Sequence, residues 1–465
     1  MFTREALQQR SKDELIEIIL SLSARLTALE AEVRELKRAK APFSKGVRKA
    51  SPKPPGRRAG QGHFTRRAVP EIGPEDKVIE LDAPLPADER DCPRCDVPLQ
   101  TSNEVVTIED MPQRPSRVIT RITVEVGVCP LCGHRARGEH PSLGPHQCGA
   151  NAHQVGPGVL SQALALHYQS GLPLRRVPQV IKQTTGIVLT QSALTQTAGK
   201  LSEPGAVMHT HYQSLRKTVA ASEVVNTDDT GWRVSATLAF LMGFFTADTA
   251  YYQIRSRHRH QEVLEVLGEG FAGKLGTDRG KSYEATALRG LAMQKCLSHL
   301  LKNLSEVEAG KTGRAKSFST RLKATLREGL VLWQDYRRGG MELESYRQQG
   351  REITGKLTHQ LRERTLTDVD NQRLLDGIAY QHEKGRLVLF LEHPQIEPTN
   401  NRAERGLRPA VIARKVSQCS KNERGARTYS VMKTLFTTLS LRCSDTVTAF
   451  ASLLRGEPLP LPCGR

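Results

Sequence analysis

Three carboxylates stand where divalent-metal chemistry could use them. Asp228 lies in Val224-Val225-Asn226-Thr227-Asp228-Asp229-Thr230-Gly231-Trp232-Arg233-Val234, an apolar run that leads into acid and continues as strand-like sequence. Asp278 ends Gly273-Lys274-Leu275-Gly276-Thr277-Asp278, a short stretch that delivers a carboxylate to a turn. Glu404 lies in Asn400-Asn401-Arg402-Ala403-Glu404-Arg405-Gly406-Leu407-Arg408-Pro409, an acid among bases. Three such groups can hold two hard cations such as Mg²⁺ or Mn²⁺, the arrangement that cuts and joins phosphodiesters. For a lone Asp, a solvated surface charge or a helix cap is the ordinary alternative.

The elements that must position these acids follow from patterning. Strand candidates come in succession at Glu223 to Asp228, Leu238 to Thr246 and Tyr251 to Arg255, and a helical pattern runs from Gln261 to Phe271 before the short strand ending at Asp278. Three antiparallel strands, a helix and then a parallel strand begin a ribonuclease-H-like fold. Residues 284 to 385 are rich in helix formers, and Glu404 follows Asp278 by 126 positions. A helical insertion over 300–390 must therefore loop out of a catalytic domain spanning 221–440 and return the chain, leaving 441–465 as a tail.

The rest of the chain looks like equipment for holding a polyanion. Its 465 residues allow several domains, and 68 lysines and arginines against 49 acids give a net charge of +19. Each phosphate neutralised by such a surface releases a counterion. The amino terminus lacks the apolar core of a signal peptide, and the apolar run Leu238 to Phe245 is too short to span a bilayer. A soluble cytoplasmic protein with no membrane partner is the expectation. Its nine cysteines then suggest metal or free thiols rather than disulfides.

Residues 11–38 carry a capping-box pattern at Ser11 and Glu14. Leu15, Ile19, Leu22, Leu26, Leu29, Val33 and Leu36 then follow alternating spacings of four and three. This seam predicts a homodimer or higher oligomer through residues 15–36; a helix packed on its own domain is the alternative. Residues 39–70 are basic and proline-rich, with ten Lys and Arg and no acid between Arg38 and Arg67. Such a segment suits a disordered arm on phosphates, with Arg57 and Arg58 as contacts, or a solubilising linker.

Within 88–140, Cys92-Pro93-Arg94-Cys95 and Cys129-Pro130-Leu131-Cys132 are paired knuckles that predict a structural Zn²⁺ ribbon. His134 and Cys148 are further candidate ligands, though four cysteines suffice. Residues 150–215 read as helices. Gly186 and a Thr190 N-cap before Gln191, Ser192 and Thr195 suggest a helix-turn-helix with Gln191 and Ser192 at a DNA groove, or an ordinary helical hairpin.

These residues resemble the insertion-sequence 66 transposase family, DDE enzymes of bacterial mobile elements. The likeness rests on Asp228-Asp229-Thr230, on Cys296-Leu297-Ser298-His299, and above all on Asn400-Asn401, Glu404-Arg405, Arg408-Pro409 and Arg414-Lys415 in that order. Asp229 stands where the family carries Glu, and Thr277 to Tyr283 follows the pattern only loosely. The resemblance implies a nucleoid-associated DNA transposase with catalytic, metal-binding Asp228, Asp278 and Glu404. It would bind double-stranded element ends and target DNA, with accessory proteins of the same element as candidate partners. Arg405, Arg408, Arg414 and Lys415 are the phosphate contacts it suggests. Cys296 and His299 share a helix face but do not by themselves fill a zinc shell, so packing is their simpler role. The competing functions are a non-catalytic or domesticated DNA-binding derivative and a ribonuclease-H-like nuclease without strand transfer.

Overall fold

In a computed structural model, residues 11–39, 118–137, 155–278, 280–362, 365–417 and 420–462 are described, with a few isolated positions between 72 and 98. The chain divides into two units, 1–110 and 111–465. Helix α1 (Lys12–Ala39) is the described element of the first. Its start bears out the capping box: Ser11 N–H donates to Glu14 Oε2 at 2.8 Å, and Glu14 N–H donates to Ser11 Oγ at 3.3 Å. Ile19, Leu22, Leu26 and Leu29 are exposed along it.

In the second unit, β1 (Val126–Val128) and β2 (Arg135–Arg137) pair antiparallel around the Cys129–Cys132 turn. Beyond them, the chain builds a five-stranded mixed sheet. Strands β3 (Val224–Val234), β4 (Thr237–Phe245) and β5 (Ala250–Arg255) form an antiparallel meander of β-branched and aromatic residues. Helix α6 (His260–Leu267) leads to β6 (Lys274–Thr277), which joins β3 in parallel, and β7 (Ala292–Lys295) adds to its far side. The order is β5-β4-β3-β6-β7. Strand β3 extends six residues past Asp228, so the acid stands mid-strand. The two-residue turn at Ser235 and Ala236 lets β4 pair along its whole length, with φ of 48° and 66° and no glycine. Strand β7 lies within a stretch that reads as helical; four residues are too few to show a period.

Helices α2 (Pro157–Tyr168), α3 (Val177–Thr185), α4 (Gln191–Leu201) and α5 (Val207–Ala220) precede the sheet. Gly186 ends α3 in the left-handed region, and Thr190 Oγ1 caps α4 by accepting from Ala193 N–H. These helices are not a separate module. Leu164, Ile181, Met208 and Leu215 share one core with the sheet and with Phe436 and Phe450. The segment expected as a tail supplies part of that core, because α13 (Thr446–Leu454) buries Phe450 and accepts a bond from Ser161 at Val447 O, 2.6 Å away. Helix α12 (Glu423–Arg442) covers the β5 edge. Its Thr434 and Thr438 hydroxyls accept from Tyr252 and Ala250 N–H, satisfying strand donors that would otherwise be open.

Between β7 and the third acid, α7 (Leu297–Glu308), α8 (Gly313–Arg337), α9 (Leu343–Gln360) and α10 (Val369–Glu383) form the insertion around a core of their own. Leu326, Tyr346, Leu357 and Phe390 lie at its centre. The chain returns through α11 (Asn401–Ser417), which lies on the face of β3 and β4. Gly406 permits that approach, since a side chain there would collide with the Phe245 ring. Among the described residues no helix is long and apolar enough to cross a membrane.

Candidate active site

Strand register explains how the first two acids meet. Val224 pairs with Lys274, Val225 with Leu275 and Asn226 with Gly276, so Asp228 and Asp278 each lie two residues beyond the last pair of adjacent parallel strands. Ligand sites of mixed sheets form at such carboxyl ends. Gly276 leaves room there for the Asn226 amide, which a Cβ would strike. Asp278 Oδ1 accepts from Gly280 N–H at 2.8 Å, which turns the chain out of the sheet.

Glu404 reaches the same place from a distant part of the sequence. Asn400, fully buried, donates through its side chain to Thr227 O at 2.8 Å and accepts from Asn226 Nδ2 at 3.2 Å. Its carbonyl then accepts Glu404 N–H in the first turn of α11. Behind the turn, Cys296 N–H bonds Thr277 O and Leu297 N–H bonds Pro398 O, so the insertion enters and leaves beside Asp278.

Burial first, then repulsion by Asp278, Asp229 and Glu404, push Asp228 up to about 7 against the Asp229 N–H it accepts at 2.9 Å. Burial also raises Asp229, although His258 opposes it from 3.4 Å. Among the described residues no lysine or arginine ion-pairs with Asp228, Asp278 or Glu404; the one ion-pair partner is His299, 3.8 Å from Glu404. Clustered oxygen donors of this kind fit a hard divalent cation.

Several contributors were not legible beforehand. Lys295, buried at the end of β7, ion-pairs with Glu284 at 2.9 Å, and Arg386 meets the same carboxylate at 3.0 Å. Burial pushes Glu284 up, but these two cations outweigh it and hold it below the usual range. Tyr283 closes the floor, its hydroxyl 3.5 Å from Thr227 Oγ1. A lysine in a short strand carries no sequence signal of burial, and only the parallel pairing of β6 and β7 puts it beside Asp278.

The remaining expected contacts are scattered. Arg405, Arg408 and Lys415 are exposed on α11, whereas the Arg414 guanidinium donates to the Gly231 carbonyl and holds the helix to β3. Gln191 and Ser192 are exposed at the start of α4. Cys129 and Cys132 bracket a knuckle in which Gly133 N–H bonds Cys129 O at 2.9 Å, with Gly133 at φ 71°. Backbone N–H groups of Cys132 and Leu131 hold the Cys129 thiol below its usual range. Cys92, Cys95, Cys148, Arg57 and Arg58 lie outside the described residues.

The model of the family described as Transposase IS66 matches residues 152–428, more than half of the 465-residue chain. No curated protein matches it.

Proposed function

Since this chain belongs to the IS66 family of transposases, we propose that its sheet is a ribonuclease-H-like catalytic core. Asp228, Asp278 and Glu404 are its metal-binding acids, and DNA cleavage and strand transfer its reaction. The observation that carries this reading is three carboxylates brought near one another, on β3, just past β6 and on the returning helix, with no lysine or arginine ion-paired to them among the described residues. Asp228, which feels the charge of both other acids, would hold the divalent cations together with Asp278 and Glu404. When bound, two Mg²⁺ or Mn²⁺ ions supply charge neutralisation at the attacking and leaving oxygens of an in-line phosphoryl transfer.

The chain's own residues hold the geometry. Asn400 fixes Glu404 against β3, the Gly280 N–H orients Asp278, and the buried Lys295–Glu284–Arg386 set stiffens the strand end beneath it. Arg405 and Arg408, at one and four positions past Glu404, are exposed on the same helix and suit phosphates entering the site. The Cys129–Cys132 knuckle suits two thiolates of a structural Zn²⁺ site. Element ends and target DNA are the proposed substrates.

The test is nicking and joining of a supercoiled plasmid carrying the gene's flanking DNA, with Mg²⁺ or Mn²⁺, beside Glu404→Gln. Activity that vanishes in the variant while DNA binding persists supports the reading. Equal activity in the two proteins sinks it.

A further inference from the structure

Cys296, His299 and Glu404 each present a ligand atom, and these atoms lie within 4.8 Å of one another. Sulfur, imidazole and a single carboxylate are the donor set of zinc-class cations; magnesium takes oxygen almost exclusively.

Two of the donors are tied to Asn400, whose backbone carbonyl accepts the Glu404 N–H. Cys296 caps the N-terminus of α7 and is 1% exposed, and its Sγ accepts the Asn400 backbone N–H at 3.2 Å. A metal-bound sulfur keeps a contact of this kind while its other lone pairs face the ion. His299 lies one turn further along α7, its Nδ1 3.8 Å from Glu404 Oε1. The His299 and Glu404 side chains are 46% and 44% exposed, so the ligand cluster opens to solvent on one side. Three protein donors with an open fourth position describe an exchangeable zinc site, not a closed structural one.

We propose that Cys296, His299 and Glu404 bind one zinc-class divalent cation and that this ion draws Glu404 away from Asp228 and Asp278, inhibiting the metal-dependent reaction. The inhibition rests on the function proposed above; the binding does not. Ligation forms one bond each to Sγ, a ring nitrogen and a carboxylate oxygen, and the thiol proton passes to solvent. If the cysteine and histidine merely pack, the site takes up no cation.

Cobalt(II) separates the two cases, because sulfur ligation gives a thiolate-to-metal charge-transfer band. Full-length protein, loaded with zinc at its knuckle and dialysed to clear exchangeable zinc, is titrated with Co²⁺ beside Cys296→Ser and His299→Ala. The wild type is expected to take up one further equivalent with that band. Cys296→Ser loses the band, and His299→Ala, altered at a half-exposed side chain, binds roughly ten- to a hundredfold more weakly. Cobalt uptake and spectra identical in all three proteins overturn the site. Zinc is then added to the plasmid reaction, each protein measured against its own zinc-free rate. Inhibition of the wild type at zinc concentrations that spare His299→Ala supports the inhibitory role, and full wild-type activity with the site demonstrably filled overturns it. A cobalt difference in protein that cuts no DNA under any condition leaves the binding site standing and removes the transposase chemistry.

Discussion

The Asn400 side chain donates to the main-chain carbonyl of Thr227, 2.8 Å away, and so fixes the start of α11 to the residue immediately before Asp228. The distance between the first and third acids is thereby set by a buried amide, across 174 positions of sequence between Asn226 and Asn400. Asn400→Ala leaves the Thr227 carbonyl and the Asn226 amide short of a partner, a loss on the order of 1–3 kcal/mol. The expected result is a lower melting temperature and at least about a tenfold fall in cleavage at saturating metal. Wild-type cleavage by a destabilised Asn400→Ala would show that the amide serves folding alone.

Asp228 is costly to the metal-free fold, since burial and three neighbouring acids disfavour its charge. Asp228→Asn keeps the shape and removes the charge. In chelator, it is expected to stabilise the protein by about 2 kcal/mol, while abolishing cleavage. Mg²⁺ should raise the melting temperature of the wild type and leave that of Asp228→Asn nearly still, because a ligand stabilises only the state that binds it. Equal Mg²⁺ shifts in both proteins would remove Asp228 from the metal site.

The sequence carried the strands and the order of the acids because both are local. An unbroken apolar run announces β4, a short aromatic run announces β5, and Asp278 follows a strand by one position. Glu404 was legible only through the company of Asn400, Asn401, Arg405 and Arg408; no periodicity links it to a sheet 126 positions away. What stayed hidden depends on tertiary placement. The 441–465 stretch contains Phe450, Leu453 and Leu454, but nothing local says that α2 receives them. Arg414 reads as one more cation until Gly231 opens space for its guanidinium on β3. His258 stacks on Phe240 beside Asp229, a placement that no local pattern announces.

The Cys129 knuckle supplies a metal-removal test. Cys129→Ser is expected to release zinc from purified protein and to weaken end binding. The main melting transition of the sheet core should move little, because that core is built from residues 160 to 454. Wild-type protein free of zinc by elemental analysis would count against the ribbon.

Lys433 gives a pH dependence of determinate sign. Burial pulls its ammonium down to about 8 from 10.5, and its Nζ donates to Tyr168 O at 3.0 Å. Between those two pH values the unfolded chain holds the proton that the folded chain has released, so this group makes stability rise with pH across the window. Its full span is about 3 kcal/mol. Lys433→Met removes the buried charge and should be more stable than wild type near pH 7 by about 1–2 kcal/mol. The gap narrows as pH climbs from 8 to 10. Denaturant melts showing a constant gap over that range would mean that Lys433 is solvated.

Helix α1 leaves Ile19, Leu22, Leu26 and Leu29 exposed on a seam spaced for a parallel two-stranded coil. Burying a leucine stabilises by about 1.5–3 kcal/mol, so four exposed positions supply a strong drive to pair with a second copy. Deleting residues 1–38 is expected to lower the oligomer number in light scattering. Leu22→Asp with Leu29→Asp should do the same with the full chain present, since two buried charges per helix cannot be accommodated in the seam. The double substitution also separates self-association from the basic arm that follows the helix. If oligomer number drops on deletion and persists with the two aspartates, contacts outside residues 15–36 hold the assembly together.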